Sequence, residues 1–286
     1  MCRVTKTRTL LASLLAAACG ALVAPSADAL TLNPWAVPDR TEISVRNVDG
    51  TVFSVRGDRP GPALSLAKLY LAYGVLAAGD PADRDAVTHM IRTSDDLTAS
   101  RLSAKHPTAI ADTINRFGLR QSHAGPNWGS GVTTTDDVVR FLTAVRDDPT
   151  AAPIVGAMAT ASPFAADGYH QNYGTATLPG AWATKFAWSD DGTVNATGTY
   201  GNGWTAAART YGPPDQLTRD VHAAVGESPA PQAPELAGPP PGSSSWAITG
   251  EQLKHQVRCV DPLNLRYGVP DTVLIPRMLA SAFPRC

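Results

Sequence analysis

Ser65 and Lys68 stand three residues apart in Ser65-Leu66-Ala67-Lys68, at the start of a stretch rich in Leu, Ala and Tyr. On a helix that spacing puts both side chains on one face. A serine hydroxyl becomes a useful nucleophile when a nearby base takes its proton, and a desolvated lysine amine can be that base. The positive end of the helix favours negative charge developing on the serine oxygen and disfavours a protonated lysine beside it. The same two residues also fit a plainer reading, a serine near a helix start and a lysine whose stem lies on apolar surface while its amine reaches water. The pair alone does not decide.

The element that must hold the pair is legible. Pro60-Gly61-Pro62 ends one segment and a helix follows, apolar on both sides: Leu66, Leu69, Tyr70, Tyr73 and Leu76 on one, Ala67, Leu71, Val75 and Ala78 on the other. A helix apolar all round is a buried central helix, and Gly79-Asp80-Pro81 closes it. Before it, residues 42–48 and 51–55 alternate around Asp49-Gly50, which predicts a β-hairpin. After it come helical patterns over 83–91, from the Ser94-Asp95-Asp96 turn onward, and over 107–117, with Ser94 a candidate N-cap. A loop rich in Gly, Ser and Asn (120–132) leads to Thr133-Thr134-Thr135, which caps another helix, and a weakly amphipathic piece covers 150–162. Three strand-like runs (180–188, 193–200, 204–211) are punctuated by Asp190-Asp191-Gly192 and Gly201-Asn202-Gly203, and a closing helix spans 215–225. Strands at both ends of this region can pair into one antiparallel sheet flanked by helices, with an all-helical subdomain inserted: an α/β fold of the α+β type.

The ends carry an address. Arg3, Lys6 and Arg8 precede an apolar run from Leu10 to Val23, then Ala27-Asp28-Ala29, the pattern of a secretory signal peptide cleaved after residue 29. A second reading attaches a lipid at Cys19 within Ala16-Ala17-Ala18-Cys19-Gly20. The expected organisation is therefore 1–29 signal, 30–226 folded domain, 227–245 proline-rich linker and 246–286 tail, with no transmembrane segment after processing. Cys259 and Cys286 are the cysteines left in the exported chain, and an oxidising address predicts that they pair. A formal net charge of −1 with no basic stripe argues against nucleic acid as a partner. No Cys/His cluster has metal-ligand spacing, so neither metal nor cofactor is expected. Nothing in the sequence sets the oligomeric state.

Taken together, the features resemble the serine β-lactamase and penicillin-binding-protein superfamily, in the class A arrangement. That family places a hairpin, then Ser-x-x-Lys on a buried helix, Ser-x-Asn at a helix-to-helix turn, and Lys-Thr/Ser-Gly on a strand beside the site. Ser65-Leu66-Ala67-Lys68, Ser94-Asp95-Asp96 and Lys185-Phe186-Ala187 stand at these places in order. Beyond the N-terminal segment the lysines are Lys68, Lys105, Lys185 and Lys254, and two of them fall at the family's two lysine positions.

The resemblance implies an exported serine hydrolase acting through an acyl-enzyme on a small-molecule or peptidoglycan-derived amide or ester. Ser65 would be the nucleophile, Lys68 the base, Ser94 the proton shuttle and Lys185 an electrostatic anchor. Asp96 would position Lys68, and Phe186, Ala187 and Trp188 would line the substrate strand. Three departures stand out. Asp96 replaces the usual Asn, Phe186 and Ala187 replace the hydroxyl residue and the glycine, and no glutamate occurs between Glu42 and Glu227 to activate a deacylating water. They support an alternative, an envelope protein that keeps the fold and binds peptidoglycan fragments or a protein partner without catalysis.

Overall fold

The computed structural model describes residues 29–227 and the short strands 247–249 and 274–276. The chain enters through β1 (Leu30–Leu32), then β2 (Thr41–Asn47) and β3 (Val52–Val55). Gly50, at φ +91°, makes the turn that the Asp49-Gly50 pair predicts. β4 (Gly61–Pro62) and a 3₁₀ turn (Leu64–Leu66) lead into α1 (Ala67–Ala77), followed by α2 (Arg84–Thr93), α3 (Asp96–Lys105) and α4 (Ala109–Phe117). Next come β5 (Val132–Thr133), α5 (Thr135–Val145) and α6 (Ala152–Ala159). β6 (Ala181–Trp188), β7 (Val194–Gly201), β8 (Trp204–Tyr211), α7 (Pro214–Ala224) and β9 (Val225–Glu227) complete this unit. Separately, β10 (Ala247–Thr249) and β11 (Leu274–Pro276) pair antiparallel. The expected signal segment, the proline-rich linker and the Cys259–Cys286 pair lie outside the described residues apart from their margins.

The sheet has the order β3-β2-β8-β7-β6 with every neighbouring pair antiparallel. Strands from the two ends of the unit meet at the β2–β8 pair, where Ile43 faces Ala208, and β6 is left as an edge. Alternation along the strands divides the core in two. Ala183, Ala187, Ala196, Tyr200 and Ala207 point toward α1, α5 and α6. Phe186, Trp204, Ala206 and Ala208 point the other way, toward Leu217 and Val221 of α7. Small residues let the helices come close: a Cβ on Gly198 would lie 3.0 Å from Val138 and 3.2 Å from Leu142 of α5.

α1 is buried along its length, as its all-round apolar pattern requires. Its Tyr70 and Tyr73 join Phe117 and Phe141 in edge-to-face contacts at centroid separations of 4.8 to 6.0 Å. This is the geometry the aromatic quadrupole favours. Two expectations need correction. Ser65 is not on the α-helix with Lys68: Gly61 and Pro62 pair with Thr133 and Val132, and Ser65 sits in the 3₁₀ turn that precedes α1. Ser94 is not an N-cap. Asp95 takes that role, accepting from Thr98 N at 2.5 Å, while Ser94 closes α2 in the left-handed region at φ +57°.

Candidate active site

Two of the three non-glycine residues with positive φ among the described residues flank the nucleophile candidate: Leu64 at +52° and Ser94 at +57°. Such conformations cost on the order of 1–3 kcal/mol and persist where packing overrides them. Here they aim two groups at one point. The turn after Leu64 brings Ser65 over the first turn of α1, and the left-handed Ser94 directs its carbonyl at Lys68.

Lys68 Nζ donates to Ser94 O at 2.7 Å and to Asp96 Oδ1 at 2.5 Å, and lies 2.8 Å from Ser65 Oγ and 3.4 Å from Ser94 Oγ. Either an ammonium or a neutral amine can satisfy these partners, although the Asp96 carboxylate favours the ammonium. Loss of one proton turns the bond to Ser65 around, so that the hydroxyl donates to the nitrogen lone pair, and leaves the other two bonds in place. The Lys68 side chain is 0% exposed, whereas that of Asp96 is 67% exposed. The Trp128 ring covers Nζ at 4.5 Å and is itself held by a 3.0 Å bond from its Nε1 to Ser100 Oγ. Burial pushes the Lys68 pKa below its ordinary value, and Asp96 pulls against that shift.

Lys185 Nζ donates to Ser94 Oγ at 2.7 Å and to Phe186 O at 2.7 Å. Burial, then the Lys68 charge, hold its pKa well below that of a free lysine. The Ser94 hydroxyl therefore lies between two desolvated amines, the third member of a chain running Ser65, Lys68, Ser94, Lys185. A cleft of about 420 Å³ opens on Ser65, with Asp96, Asn127, Trp128, Asp167 and Trp188 among its walls. Ser189 N donates to Val194 O, so the alternation of the antiparallel ladder turns the Trp188 N–H outward from the edge of β6.

Ser65, Lys68, Ser94, Asp96 and Lys185 thus come together, and Trp188 lines the cleft with Ser65 and Asp96. Phe186 and Ala187 do not, which corrects their expected place in substrate binding. Strand alternation sends the Phe186 ring to the α7 side, 5.2 Å from that of Tyr173, and Ala187 is sealed in the α1-side core. His123 is exposed and pairs through its backbone with Val132, away from the cleft walls. Trp128 and Asp167 escaped the sequence reading. Trp128 is a lone aromatic in a Gly/Ser/Asn loop, and Asp167-Gly168 reads only as a turn. Among the described residues no three His, Cys, Asp or Glu side chains group as metal ligands would.

The fold is that of the serine β-lactamases and penicillin-binding proteins. A β-lactamase from Sphaerobacter thermophilus superposes with TM-score 0.52 at 17% identity, covering 64% of this chain and 88% of its own. One from Chitinophaga pinensis gives 0.55 at 12% identity over 66% and 94% of the two chains. PBP-A gives 0.51 at 15% identity over 76% and 92%. In sequence, the Mycobacterium tuberculosis protein named "Putative lipoprotein LppW" is 29% identical across 38% of this chain. The match spans 40% of that relative's length. No protein-family model matches the chain. No described helix is long and apolar enough to cross a membrane.

Proposed function

We propose that the protein is an exported serine hydrolase that acts through a Ser65 acyl-enzyme on an amide or ester of the cell envelope. The observation that carries this reading is the continuous hydrogen-bonded chain from Ser65 Oγ through Lys68 Nζ to Ser94 and Lys185. Ser65 Oγ bonds to the acyl carbon as its proton passes to neutral Lys68. The oxyanion that forms would be met by the N–H groups of Ser65 and Trp188. As the C–N or C–O bond breaks, the leaving group takes the proton through Ser94 Oγ and Lys68 returns to its neutral form. Water then attacks the acyl ester by the reverse relay, releasing the acid and restoring Ser65. Export is supported by the N-terminal signal pattern and by the name of the mycobacterial relative.

The test is intact-mass analysis after exposure to an activated ester. One acyl group should appear on the wild-type protein and none on Ser65→Ala. A second reading, a non-catalytic binder of peptidoglycan fragments or of a protein partner, is favoured by one contact. Asp96 pairs directly with Lys68 and works against the loss of its proton. A wild-type protein that stays unmodified and releases no alcohol from the ester would overturn the hydrolase reading.

A further inference from the structure

The charge inside the cleft is opposite to what a carboxylate-bearing substrate needs. Among the described residues its walls carry three carboxylates, Asp96, Asp167 and Asp190, and no Lys, Arg or His side chain. The two lysines beneath are each 0% exposed, so a ligand meets neither. Asp96 is engaged by Lys68, which leaves Asp167 and Asp190 for a ligand.

Asp167 is fixed in place. Its Oδ1 accepts from Tyr169 N at 2.9 Å and its Oδ2 from Trp188 Nε1 at 3.0 Å. The Trp188 indole stacks on Tyr169 at 4.4 Å and stays partly exposed to the cleft. An immobilised carboxylate attracts an ammonium group by Coulomb attraction, and the indole face that is not stacked on Tyr169 offers the same cation a second attraction. The field of Asp167 also reaches the buried amines, where it opposes their loss of charge. On the strand, where a hydroxyl could have bound an anion, Phe186 faces away.

We infer that this site selects acyl donors whose acyl chain carries an ammonium group and turns away those whose acyl chain carries a carboxylate. Asp167 and Asp190 are the specificity-determining residues. The inference rests on the acyl-transfer reading for its chemistry, but its charge preference can be read without turnover.

Three p-nitrophenyl esters of matched length separate the cases: 6-aminohexanoate, hexanoate and the monoester of adipate. At low salt the aminohexanoyl ester should acylate Ser65 roughly 3- to 10-fold faster than the neutral one, the range expected of two partly exposed ion pairs. The adipoyl ester should be slowest, and 0.5 M salt should compress the series, since the Debye length shrinks to about 4 Å. Asp167→Asn combined with Asp190→Asn should bring the three rates together. A carboxylate ester that reacts as fast as the neutral one, or a preference that survives the double substitution, overturns the inference. A binding arm uses the matching amides with Ser65→Ala, read by shifts of the tryptophan indole resonances. If no ester acylates Ser65 while the amine-bearing amide still binds in preference, the hydrolase reading falls and the charge preference stands. If the amine-bearing amide is not preferred, or none of the three binds, the charge preference falls whatever the esters do.

Discussion

Two buried cations in this molecule each face a carboxylate, and they are built differently. Arg209 pairs with Glu42 beneath β4 and β5, with side chains 2% and 6% exposed. Its guanidinium also donates to Thr133 O at 2.9 Å, Arg59 O at 2.8 Å and Pro62 O at 3.4 Å. Lys68 pairs with Asp96, whose side chain is 67% exposed. The closed pair is a clamp made of protein on every side. An arginine keeps its charge under any accessible condition, so that pair must stay complete. A buried lysine can release a proton, and its open carboxylate can turn to water. A permanent charge suits a joint; a removable one suits chemistry.

The largest expected effect follows from breaking the clamp. Glu42→Ala leaves the Arg209 charge buried without its partner and should cost about 3–5 kcal/mol in urea unfolding. Lys68→Met replaces a desolvated amine by an apolar chain of similar size and should stay within about 1 kcal/mol of wild type while abolishing acylation. Equal losses from the two would erase the distinction between joint and chemical site.

Phe186 belongs with the closed parts of the molecule. Phe186→Ala should cost roughly 3–5 kcal/mol through the cavity it leaves against Tyr173, with Ser65 still acylated in the folded fraction. Phe186→Thr with Ala187→Gly should likewise lower the melting temperature, without raising acylation by β-lactams.

The open site should serve β-lactams poorly. Lack of a charge-assisted contact to their carboxylate is worth roughly 1.5–3 kcal/mol, about 10- to 150-fold. Among the described residues the cleft also carries no glutamate to activate a deacylating water. Nitrocefin should give no steady turnover, and intact mass at most a slow, persistent adduct on Ser65. Turnover that Ser65→Ala removes would reveal a base outside the residues named here.

The smallest effect is the most diagnostic. Asp96 raises the Lys68 pKa, and the neutral amine is the reactive form, so acylation rises as pH climbs through that pKa. Asp96→Asn removes the upward pull, so the midpoint of the acylation profile should move to lower pH. Stability should change by less than about 1 kcal/mol, because the carboxylate is largely in water. A midpoint that does not move, or moves up, would mean that Lys68 is not the base.

Most of the frame could be read from the sequence because its signals are local. Asp49-Gly50, the three alternating runs and the all-round apolar α1 each announce their element within a dozen residues. Ser65, Lys68, Ser94 and Lys185 were legible through their order and spacing. Trp128 and Asp167 were not, since loops put them beside Lys68 and Trp188 and no periodicity records where a loop will lie. Phe186 is a different case. Lys185 and Phe186 are neighbours on a strand and must face opposite sides, so the period of two already excluded that side chain from the site. Ser94 shows the limit of capping rules: Ser94, Asp95 and Asp96 can all cap, and the left-handed turn that ends α2 settled the choice on Asp95.

The short β4–β5 pair has a kinematic consequence. β4 runs directly into the turn that carries Ser65, and β5 ends the loop that carries Trp128. Arg209 rivets the two strands together from below. The nucleophile and the indole over its base are therefore hung from a single plate, which resists their separation. The opposite jamb, where Asp167 and Trp188 hold each other, has no such tie to β4 and β5 among the described residues.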